Sequence, residues 1–133
     1  MRFRGRFYDL PPFAMAPKPA QGARLPVLGG GESEAALRRA AEACDGWHPL
    51  GLTPGQVKDR LGRLREFLTR AGRSTADFLL TARTGRAIAL TRDLATRYAE
   101  IGVRLVVADV DYRQMTLPAA LAHIETLARD LGL

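Results

Sequence analysis

Four short apolar runs alternate with four helix-patterned segments along most of this chain, and no other feature restricts its fold as strongly. Leu25-Pro-Val-Leu28 predicts a strand at 25–28 that ends in Gly29-Gly30-Gly31, and Ser33 can N-cap a helix over 33–43. Asp45-Gly46-Trp47-His48-Pro49-Leu50 is too short for a helix and too apolar for a plain loop, which gives a second strand at 46–49. Thr53, Pro54 and Gln56 supply an N-cap, a first-turn proline and a capping-box glutamine for a helix over 54–71. Val57, Leu61, Leu64 and Leu68 share one face of it, and Gly72 ends it. A third strand follows at 78–83, then a helix over 92–101 opened by Thr91, with Leu94, Tyr98 and Ile101 inward. Val103–Asp109 holds the fourth strand, at 103–108, apolar enough to be covered on both faces. The last helix spans 117–131, with Leu117, Leu121, Ile124 and Leu127 or Ala128 inward.

This order predicts an α/β fold with a parallel sheet and right-handed crossovers. A closed (β/α)8 TIM barrel takes about 250 residues, so four βα units in 133 residues amount to half of one. A small open sheet is the alternative. Residues 1–24 differ in texture: they hold four of the eight prolines, Pro11, Pro12, Pro17 and Pro19, and three of the five phenylalanines, between Phe3 and Phe13. They read as an extended arm, with a small hairpin about Gly5, leading into a single domain of four units over 25–133.

Composition excludes several classes. At 47% hydrophobic and 26% charged the chain is globular, and no apolar run approaches the roughly 18 residues of a membrane span. Arg2, Arg4 and Arg6 lead into no apolar signal segment, so a cytoplasmic location is expected. Cys44 is the only cysteine, which removes disulfides and multi-cysteine metal sites; with His48 and His123 the only histidines, no metal is expected. The net charge of +6 raises the question of nucleic acid. The arginines that carry it are spread among acids, and no nucleic-acid motif accompanies them, so no such partner is expected.

Among residues that could carry chemistry, Gly29-Gly30-Gly31-Glu32-Ser33 lies between a strand and a helix, where glycine amides and a helix N-terminus favour a phosphate. A tight turn requiring positive φ explains the glycines equally well, and Glu32 adds a charge of the wrong sign. Trp47 and His48 end the second strand, where a barrel has its active-site rim; they read either as contacts to a flat ring or as a core tryptophan with a hydrogen-bonded histidine. His123 reads as a surface residue and Cys44 as a small buried hydrophobe. Asp109 and Asp111 end the fourth strand, able to hold a polar ligand together or to cap the next loop. No nucleophile–base pair or paired acid and base can be assembled. The catalytic residues are therefore unknown, and any catalysis would draw on a cofactor.

Three segments in order resemble the luciferase-like monooxygenase family of flavin- or deazaflavin-dependent barrel oxidoreductases. Phe3-Arg-Gly-Arg-Phe-Tyr8 with Pro17-Lys-Pro-Ala-Gln21 is similar to the family's F-x-G-x-x-Y and P-K-P-x-Q. Pro26-Val-Leu-Gly-Gly-Gly-Glu-Ser33 is similar to P-I-W-V-G-G-x-S, with Leu28 in place of the aromatic and Gly29 in place of valine. Asp45-Gly-Trp-His-Pro49 resembles D-G-W-x-P, and Ile101–Val107 the final G-V-x-x-L-V-V strand.

The resemblance implies a C-terminal half of an oxidoreductase or monooxygenase barrel, with FMN or the deazaflavin coenzyme F-420 as cofactor. It carries over Gly30, Gly31 and Ser33 as phosphate contacts and Trp47 as a contact near the ring or its linker. The family's first four strands have no counterpart here. The expected partners are therefore a flavin-type cofactor and either a second copy of this chain or a complementary N-terminal half, and the isolated chain is expected to be inactive. The alternative function is a non-catalytic half-barrel that acts as an interaction module through self-association.

Overall fold

A computed structural model describes residues 2–14 and 16–133. Met1 and Met15, both in the expected arm, lie outside the described residues. Near the N-terminus lies a small antiparallel hairpin, β1 (Phe3–Arg4) against β2 (Asp9–Leu10), closed by a bond from the Gly5 amide to the Tyr8 carbonyl at 2.8 Å.

The remainder is α/β, as the alternation of periods predicts. Strands β3 (Leu28–Gly30), β4 (Gly46–His48), β5 (Leu79–Arg83) and β6 (Leu105–Val107) form one parallel sheet in sequential order. Helices α1 (Glu34–Ala43), α2 (Pro54–Arg70) and α3 (Arg92–Glu100) connect them, and α4 (Leu117–Leu131) follows β6. In a sequentially ordered parallel sheet, right-handed crossovers bring each connecting helix to the same face. The core agrees: Trp47, Leu80 and Ala82 of the sheet pack with Leu37, Ala40 and Ala41 of α1, Val57, Leu61, Leu64 and Leu68 of α2, and Tyr98 of α3. Gly29 permits the close approach of β3 to α1, since a Cβ there would lie 2.7 Å from that of Ala40. Strand pairing sets Gly30 beside His48 on the opposite face, and alternation adds Thr81 and Arg83 to that face.

Helix ends follow the sequence signals. Ser33, Thr53, Thr91 and Thr116 each accept an amide hydrogen bond as N-cap, and Thr53 with Gln56 completes the capping box.

Three expectations are corrected. The first strand is 28–30 rather than 25–28, because Pro26 has no N–H to give and the Val27 amide goes to the Asp45 carboxylate at 2.8 Å. The fourth strand is 105–107, and its apolar run is not covered on both faces: Val106 packs on the core, while Leu105 is 53% exposed and Val107 is exposed. In α4, Leu117, Leu121 and Ile124 are exposed rather than inward; Ala120 is buried and Leu127 and Ala128 are half-buried. The last two departures lie at the β6 edge of the sheet.

Candidate functional site

The residues the sequence offered as ligand contacts lie at or just beyond the C-terminal ends of the parallel strands. The turn from β3 to α1 is shaped by Gly31, whose φ of +92° lies in the left-handed region that favours glycine. Ser33 Oγ accepts from the Ala36 amide at 3.2 Å, which satisfies one first-turn N–H. The amides of Glu34 and Ala35 have no intrahelical partner by helix geometry and face the turn. Glu34 itself is turned toward α2: Arg63 bonds it at 2.8 Å and holds its carboxyl below the usual carboxylate range. Gly30 and Gly31 are exposed, and a Cβ on Gly30 would meet nothing nearer than the His48 carbonyl at 3.9 Å. The turn thus has an open face lined by backbone.

Trp47 does not present its ring to that face. Its side chain is fully buried on the helix side of the sheet, and its indole N–H donates to the Gly31 carbonyl at 2.8 Å. That bond fixes the peptide of Gly31. His48, the next residue, is half-buried on the other face, with Nδ1 2.6 Å from Thr81 Oγ; that hydroxyl lies 3.2 Å from the Trp47 carbonyl.

Further along the same rim Arg83 bonds Asp109 Oδ1 through Nε at 2.8 Å and Nη2 at 2.5 Å, and the Asp109 amide donates to Thr84 Oγ at 3.1 Å. Asp111 turns elsewhere. It accepts the Arg113 amide as cap of a short 3-10 turn and pairs with the Arg113 side chain at 2.6 Å, which holds its carboxyl far below the usual range. Each aspartate thus has its own arginine partner, and both border one cleft. His123 is exposed on α4 and borders this cleft, of about 300 Å³, with Arg86, Asp109, Asp111 and Met115. Cys44 is half-buried at the end of α1, its amide bonded to Ala40. Among the described residues no group of three or more metal-ligating side chains converges.

The reading from sequence missed Thr81 and Arg83. The available signal was polarity at every second position near the end of an apolar strand, which marks one face of its rim.

Comparison with known proteins agrees with the sequence resemblance. The family model for luciferase-like monooxygenases matches residues 1–128. Uncharacterized proteins of Mycobacterium tuberculosis and Mycobacterium bovis are 41% identical over 73 residues, which is 55% of this chain and 24% of theirs. The chain thus spans about a quarter of the length of the curated relatives it matches. Among solved structures, a coenzyme F-420-dependent tetrahydromethanopterin reductase from Methanopyrus kandleri superposes with a TM-score of 0.54 at 20% identity, over 62% of this chain and 24% of that one. An F-420-dependent secondary alcohol dehydrogenase, solved with an F-420–acetone adduct, superposes with a TM-score of 0.62 at 12% identity, over 84% of this chain and 52% of that one. At these identities the superpositions establish the fold.

Proposed function

The chain belongs to the luciferase-like monooxygenase family, and on that premise we propose that it is the C-terminal half of a (β/α)8 oxidoreductase barrel that holds the phosphate end of FMN or coenzyme F-420. The observation that carries this reading is the β3–α1 turn. Gly31 is held at positive φ, Gly30 leaves space where a side chain would stand, and Ser33 with the first-turn amides of α1 supplies donors. This donor set suits a phosphate. Trp47 contributes by holding the Gly31 carbonyl away from that face, since a carbonyl aimed at an anion would repel it. When bound, the cofactor supplies the hydride or oxygen chemistry; this half supplies the anchoring donors and part of the pocket wall.

The half-barrel reading is supported by the sequential parallel order, in which β3 and β6 each pair on one side only among the described strands. The apolar residues left exposed on β6 and α4 suit cover by a complementary N-terminal half or a second copy of this chain. The same exposed surface favours the second reading, a non-catalytic module acting through self-association.

Titration with FMN and F-420 tests the proposal. Losing the opposing pocket wall removes ~4 kcal/mol of contact, about a thousandfold in affinity. The isolated chain should therefore be colourless, bind either cofactor weakly and turn nothing over. A yellow protein with stoichiometric cofactor, or activity without a partner chain, would refute the half-enzyme reading.

A further inference from the structure

We propose that a hollow between α2 and α3 binds a small monocarboxylate carrying one ring-sized apolar group, with the ring inside and the carboxylate on Arg65. The proposal is independent of the phosphate reading. The hollow lies at the N-terminal end of the parallel sheet, whereas the β3–α1 turn lies at the C-terminal end.

The hollow is present because the chain has no side chain to fill it where α3 hands over to β6. α3 stops at Glu100, and Gly102 turns the chain at a φ of +92°, a conformation that favours glycine. A Cβ at Gly102 would meet nothing within 4 Å. Leu61, Leu64 and Leu68 of α2, Phe78 and Leu80 at the start of β5, and Ile101 form the walls; all but the half-buried Ile101 are buried. The space measures about 170 Å³. An apolar cavity of about 150 Å³ stays dry and binds benzene, so a space of this size and lining gains contacts by admitting one ring.

The mouth selects the rest of the ligand. Arg65 and Thr75 border it, and Arg65 also lines an adjoining hollow with Lys58 and Glu100. Two cations thus face one acid. Glu66, the acid next to Arg65 in the chain, is turned to Arg63 and Arg70. Among the described residues neither Arg65 nor Lys58 is in an ion pair. A guanidinium beside an apolar hole can take a carboxylate through two parallel N–H donors. A second anionic group would meet Glu100, so the mouth suits a single negative charge.

The test uses the full chain labelled with 13C at its leucine and isoleucine methyl groups. Phenylacetate and its uncharged isostere phenylacetamide are titrated separately. Both should move the Leu61, Leu64, Leu80 and Ile101 methyl signals, and phenylacetate should bind about fivefold more tightly. Arg65→Gln should remove that preference and leave phenylacetamide unchanged. Thr75→Phe, which sets a ring at the mouth and leaves the buried walls alone, should weaken both ligands about tenfold or more.

Equal affinity of wild type for the two ligands would overturn the role of Arg65, and methyl signals that neither ligand moves would overturn the site itself. Shifts in the Gly30 and Gly31 amides in place of the methyl signals would put the carboxylate at the β3–α1 turn, which would also overturn the proposal and would favour the phosphate reading. Arg65 and Thr75 are both exposed, so the variants leave the core intact. The comparison of the two ligands on wild type decides the matter even where a variant does not fold.

Discussion

The two ends of the sheet are made from similar sequence patterns and finish differently. At the β3–β4 end, α1 and α2 bury Leu37, Ala40, Val57, Leu61, Leu64 and Leu68 around Trp47. At the β6 end, α4 carries an equally regular apolar stripe and leaves Leu117 73% exposed, with Leu121 and Ile124 also exposed. An amphipathic period says that a face will be covered; it does not say whether the cover belongs to the same chain. The first end is a core in itself, and the second has a core's pattern without its other side.

The sharpest way to break that contrast is to cut into the filled end. Trp47→Ala should cost about 3–5 kcal/mol in denaturant unfolding, since it empties the largest buried side chain of the sheet. A loss below about 1 kcal/mol would mean that this end is not the core. Gly46→Ala comes next, at about 1–3 kcal/mol, because a Cβ there would lie 2.2 Å from the Leu79 carbonyl oxygen of the neighbouring strand. Tyr98→Phe should cost about 1 kcal/mol, because it removes a hydroxyl that donates to the buried Leu52 carbonyl and leaves the packing in place.

At the other end, Leu121→Ala should change monomer stability by less than about 0.5 kcal/mol. The same residue offers a sharper measurement. If a second copy covers α4, the wild-type Tm should rise with protein concentration, and Leu121→Asp should abolish the rise. The smallest effect belongs to the exposed Glu34–Arg63 pair that joins α1 to α2. Arg63 lowers the Glu34 carboxyl below its unfolded value, so its contribution is present above the ordinary carboxylate range and is lost as pH falls through the lowered value. Glu34→Gln should slightly flatten the acid limb of a Tm-against-pH curve.

Local chemistry was legible in the sequence wherever a residue acts on its neighbours in the chain. The N-caps at Ser33, Thr53 and Thr91, the capping box at Thr53 and the glycine turn before Ser33 all use contacts within a few residues, and the structure has them where the spacing puts them. The limits of β3 were not legible, since the Val27 amide is taken by Asp45, 18 residues away. Which of the two readings of Trp47 holds was not legible for a related reason. Strand alternation puts it and His48 on opposite faces, but which face meets the helices depends on the crossovers and not on either residue. The Thr81–His48 bond joins residues 33 apart and could be seen only once β4 and β5 were paired.

The bond from Trp47 to Gly31 also makes the chain its own optical probe. It has one tryptophan, so all indole emission comes from a ring sealed in apolar surroundings with its N–H fixed to the turn. Blue-shifted emission would signal an intact core. A ligand that tightens or pulls the Gly31 peptide would alter the indole hydrogen bond and therefore the emission, although it touches no aromatic residue. One fluorescence signal thus reports both whether the filled end is folded and whether its turn is engaged.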